Sequence, residues 1–81
     1  MRPRKRYKNQ INVSGEKIRK TREANNISRE SLSSKLLLEL NIDLSVSSLE
    51  KIESNKRPVV DYELWGIAKI LKVHMEELID L

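Results

Sequence analysis

The chain has 81 residues, 16 Lys/Arg against 12 Asp/Glu, a formal net charge of +4, no cysteine, no phenylalanine and two glycines. That length suits one domain with one core, and the missing cysteines exclude a disulfide framework and a thiolate metal site. Leu, Ile and Val supply nearly all the apolar bulk, so an all-α fold is expected rather than a sheet protein.

Residues 1–13 read as a basic N-terminal arm, with Arg2, Arg4, Lys5, Arg6 and Lys8 and no helical periodicity. The opening is basic like the start of a signal peptide, but no apolar stretch follows it, so a cytoplasmic protein is expected. The longest fully apolar run, Leu36-Leu37-Leu38, is far short of a membrane span of about 20 residues. Residues 14–81 form the expected domain. Helix 1 begins near Ser14-Gly15 and ends at Asn25-Asn26, a pair suited to left-handed closure.

Ser28 can cap helix 2, whose Leu32, Leu36 and Leu40 repeat at i, i+4, i+8. Asn41-Ile42-Asp43-Leu44 breaks it, and Ser45 can cap helix 3. In helix 3, Leu49 and Ile52 face inward, while Ser47, Glu50, Lys51 and Ser54 fall on one polar stripe. Ser54-Asn55-Lys56-Arg57-Pro58 stops that helix. Helix 4 runs from about Asp61 to Leu71 on Leu64, Ile67, Ala68 and Leu71. A short helix 5 is expected over roughly His74 to Asp80, with Leu78 inward.

Charge is uneven along the chain. Residues 1–35 carry eleven Lys/Arg against three Glu, and residues 36–81 carry five against nine Asp/Glu. Such an asymmetry fits an oriented encounter with a polyanion, nucleic acid before membrane.

Four stretches in this order carry a resemblance: Gly15-Glu16-Lys17-Ile18-Arg19-Lys20-Thr21-Arg22, Ile27-Ser28-Arg29-Glu30-Ser31-Leu32, Leu49-Glu50-Lys51-Ile52-Glu53-Ser54-Asn55-Lys56-Arg57, and Asp61-Tyr62-Glu63-Leu64 with Ile67-Ala68-Lys69-Ile70-Leu71. Over roughly residues 14–80 the chain resembles the phage repressor and Cro-type helix-turn-helix family, also called the xenobiotic-response-element family. The resemblance implies a five-helix, lambda-repressor-like domain whose helix 3 enters a DNA major groove. Two departures stand out. The interval from Leu32 to Ile52 is about six residues longer than is common in the family, and Asn55 and Lys72 occupy positions where the family usually has Gly.

Arg22 shares a helix face with Ile18 and Asn25, so its guanidinium needs a carboxylate. Glu53 is the natural partner, and the resemblance implies the same pair. Arg29 opposes the dipole of helix 2, which a phosphate at that N-terminus would explain. Lys56 and Arg57 are further candidate phosphate contacts, as are Arg4, Lys5 and Arg6 of the arm. Val46, Ser47, Glu50 and Lys51 are the candidate base-reading residues: Lys donates to guanine, Glu accepts from cytosine, Ser pairs with several bases, and Val meets a thymine methyl. Each can also be plain solvated surface.

His74 is the single histidine and sits at a helix start, and the serines lack a nearby histidine. No metal, cofactor or enzymatic activity is expected. Trp65, Met75, Ile79 and Leu81 either complete a monomer's core or form the face of a homodimer. The leading expectation is a sequence-specific DNA-binding transcriptional regulator of repressor type, with double-stranded DNA as partner and no membrane. The alternative is a protein-interaction module on the same scaffold, of antitoxin or adaptor type, with a regulatory protein as partner.

Overall fold

The computed structural model describes residues 12–79. Among them lie four α-helices, α1 (Gly15–Ala24), α2 (Arg29–Leu40), α3 (Val46–Glu53) and α4 (Asp61–Leu71), then a 3-10 helix at Met75–Leu78. The described residues form no strand. The expected fifth helix is thus a single tight turn. Its closing bonds span three residues, Glu77 N–H to the His74 carbonyl at 2.9 Å and Ile79 N–H to the Glu76 carbonyl at 3.3 Å, the pattern of a 3-10 segment too short to propagate. Leu78 nevertheless points inward and is fully buried.

The sequence signals act where the chain needs them. Ser28 and Ser45 accept hydrogen bonds through Oγ from the Ser31 and Ser48 N–H groups, at 3.0 and 3.1 Å, capping α2 and α3. Helices α1, α3 and α4 close alike, with Asn26, Asn55 and Lys72 at φ 57°, 65° and 62°. The next N–H in each case reaches back five residues: Ile27 to Arg22, Lys56 to Lys51, Val73 to Ala68. This is the Schellman closure that glycine usually serves. Asn41 at the end of α2 is also left-handed, φ 58°, but there Ile42 N–H reaches Leu36, one residue further back.

Every glycine is spent elsewhere, on close packing. A Cβ on Gly66 of α4 would collide with the Ile42 side chain and press on Leu36 of α2. Helix α2 thereby lies close along α4, and α3 packs across α2 and α1. The core between them holds Ile18, Leu32, Leu36, Leu49, Ile52, Ile67 and Leu78, all fully buried. Leu32, Leu36, Leu64, Ile67, Ala68 and Leu71, expected inward, are buried as well.

The connection from α2 to α3, residues 41–45, is ordered by burial. Ile42 and Leu44 drop into the core, and Ser33 Oγ donates to the Leu44 carbonyl at 2.8 Å. Residues of this turn therefore add to the core. At the other end Asn12, expected in the arm, is hydrogen-bonded to Asn55 and Arg57, and Val13 beside it is half-buried. Arg4, Lys5, Arg6 and Leu81 lie outside the described residues.

Candidate functional site

Helix α3 has eight residues, too few to persist alone in water, so its neighbours must hold it. Leu49 and Ile52 anchor its inner side in the core. Ser47, Glu50, Lys51 and Ser54 are all exposed, with Val46 and Ser48 half-buried at the edge. The polar stripe read from sequence is the free face of α3.

The C-terminal end of α3 is held by charge. Arg22 of α1 donates through Nε and Nη2 to both oxygens of Glu53, at 2.8 and 3.0 Å, and through Nη1 to the Ile27 carbonyl at 2.8 Å. The Glu53 side chain is only 1% exposed, and that of Arg22 8%. Hydrogen bonding to Glu53 raises the Arg22 pKa above its ordinary value, against the opposing effect of burial. A bidentate pair of this kind fixes distance and orientation together.

Arg29 joins the same carboxylate, its Nε donating to Glu53 Oε1 at 3.0 Å. The cation that opposes the dipole of α2 therefore has a structural reason inside the protein. One carboxylate ties α1, α2 and α3 together. Arg57 is likewise engaged: Nη1 and Nη2 donate to the two oxygens of Glu63, both at 2.9 Å. Val60 N–H also donates to Glu63 at 3.2 Å, which starts α4. The Glu63 carboxyl is held below its ordinary range, first by Arg57 and further by Val60, while burial opposes the shift. Of the cations proposed beside α3, Lys51 and Lys56 are exposed and form no ion pair among the described residues.

Two residues that position α3 escaped the sequence reading. Asn12 accepts from Ser14 N–H and Gly15 N–H through Oδ1, capping α1, at 3.0 and 2.6 Å. Its Nδ2 donates to the carbonyls of Ile52 and Arg57, and its N–H donates to Asn55 Oδ1. Gly15 sits against the Ile52 carbonyl, where any Cβ would collide. Asn-x-x-Gly before an amphipathic helix was the available signal for the cap. The contacts to residues 40 to 45 positions away left no local trace.

The candidate dimer residues do not share one surface role. Met75 and Ile79 are half-buried against the core. Trp65 is 43% exposed, and the Lys69 ammonium lies 5.7 Å from its ring centroid. Among the described residues no three His, Cys, Asp or Glu side chains gather as metal ligands. No described helix is long and apolar enough to cross a membrane.

Compared with known proteins, the chain matches no family model, no curated protein and no solved structure.

Proposed function

We propose that this protein is a sequence-specific DNA-binding regulator of transcription, occupying an operator of double-stranded DNA with α3 in the major groove. The observation that carries this reading is the exposed stripe Ser47–Glu50–Lys51–Ser54 on a short helix whose opposite side is fixed by the core and by Arg22–Glu53. A groove-reading helix needs both properties, short polar donors and acceptors outward and a rigid seat behind. The basic bias of residues 1–35 supports the same partner.

Selection of bound sequences from random duplex DNA tests the proposal. A preferred site should emerge, and Lys51→Ala should weaken that site by about 1–3 kcal/mol while relaxing preference at one base pair. A palindromic site with half-sites about one DNA turn apart would mean that a homodimer binds. Failure to enrich any sequence, with no duplex binding at low salt, would overturn the proposal.

One observation favours the second reading, a module that binds a regulatory protein. Arg29 and Arg57, beside α3, have their charges met by Glu53 and Glu63, and Glu50 lies within the stripe. If that balance decides the partner, the same stripe meets a protein surface, and duplex binding is absent at every salt concentration.

A further inference from the structure

Between the start of α1 and the end of α3 lies an open cleft of about 190 Å³. Gly15, Glu16 and Arg19 line it from α1; Glu53, the last residue of α3, lines it with Ser54 and Asn55, which follow the helix. Ser54 is also the last residue of the exposed stripe, so the cleft continues that stripe onto α1.

The charges around the cleft are not equally satisfied. Glu16 pairs with Lys20 at 3.3 Å, and Glu53 is taken by Arg22 and Arg29. Arg19 is half-buried and makes no ion pair or side-chain hydrogen bond with the described residues. Its guanidinium is the one charge on the cleft wall without an opposite charge among the described residues. A guanidinium presents several N–H donors in a planar fork that matches phosphate oxygens. Arg29 and Arg57, by contrast, direct part or all of their forks at internal carboxylates.

We infer that Arg19 binds a backbone phosphate of the duplex read by α3, extending the interface from α3 across the cleft to α1. This assignment rests on the proposed DNA-binding function and adds a residue to it. Phosphate contacts set register without reading sequence, so Arg19 would fix how α3 sits along the groove.

The test is the salt dependence of binding to the selected duplex by the full chain and by Arg19→Gln, Arg19→Lys and Lys17→Gln. Lys17 is exposed on the same helix and does not line the cleft, so its variant controls for net charge. Arg19→Gln should reduce the slope of log K against log salt by about 0.9, the value for one lost phosphate contact on duplex DNA, with base preference unchanged. Arg19→Lys should keep most of the slope, and Lys17→Gln nearly all of it. Equal slopes for Arg19→Gln and Lys17→Gln would overturn the assignment and leave the DNA-binding reading standing. Loss of cooperative melting in Arg19→Gln would also overturn it, because Arg19 would then be structural. Absence of duplex binding by the unaltered chain would overturn both.

Discussion

Arg22 and Glu53, 31 residues apart in the chain, meet through two parallel hydrogen bonds of 2.8 and 3.0 Å. The pair is nearly closed to solvent, so neither charge has water to fall back on. Glu53→Ala should therefore destabilise the fold by about 3–5 kcal/mol, lowering the melting temperature by more than about 10 °C. Arg29 loses its partner in the same step. Thermal unfolding followed by the fluorescence of Trp65, the single tryptophan, is the direct measurement. A loss below about 1 kcal/mol would mean that Arg22 re-pairs, with Glu23 at 4.0 Å as the nearest alternative.

Gly15→Ala pits helix propensity against space. Alanine in an exposed helix is better than glycine by about 1 kcal/mol, so propensity alone predicts a more stable protein. Gly15 is buried, and its Cβ would strike the Ile52 backbone carbonyl, which cannot rotate away as a side chain can. The expected outcome is a loss of about 1–3 kcal/mol, seen as a lower urea midpoint. A gain would show that α1 can shift away from α3 without penalty.

Lys72→Gly should act in the opposite sense. Lys72 closes α4 at φ 62°, a left-handed conformation that a β-carbon disfavours by roughly 1–2 kcal/mol. The residue is exposed, and its backbone N–H bond to the Lys69 carbonyl does not depend on the side chain. Glycine relieves the clash but frees the unfolded chain, so a net gain of about 0.5–1 kcal/mol is expected. A stability unchanged or lowered in a urea titration would contradict it.

What the sequence made legible, and what it hid, divide by the range of the interaction. Helix boundaries, the Ser28 and Ser45 caps and the inward face of α4 follow from residues within one or two turns of each other, so periodicity and capping chemistry revealed them. The outward stripe of α3 was legible for the same reason. Arg22–Glu53 was reachable because a cation on an apolar helix face demands a partner, and Glu53, one turn after Leu49, was the partner the resemblance implied. The Arg29–Glu53 contact was hidden: the dipole conflict of Arg29 is local, while its partner lies 24 residues away and becomes adjacent only once α2 and α3 dock. The Arg57–Glu63 pair was hidden as well, because Glu63 faces Arg57 across a bend at Pro58. Asn12 and Gly15 were hidden more deeply, since their importance comes from the Ile52 carbonyl, a backbone atom that no sequence pattern marks.

The Arg57–Glu63 pair gives the fold a dependence on acid that can be isolated. In the unfolded chain Glu63 titrates near its ordinary value of 4.5; in the fold, hydrogen bonding to Arg57 holds its pKa lower. Above the unfolded value the carboxylate is charged in both states, and the pair contributes its full stabilisation. As pH falls through the lower folded value, the folded carboxyl takes up its proton and that contribution disappears. Other carboxylates also titrate in acid, so the informative quantity is the stability difference between the unaltered chain and Glu63→Gln. That difference should be largest near neutral pH and shrink steadily below the ordinary carboxylate range, measured by urea unfolding at a series of pH values. A gap that stays constant into strong acid would mean that Glu63 stabilises the loop by shape and by its bond from Val60 N–H, and that the charge of Arg57 is immaterial to it.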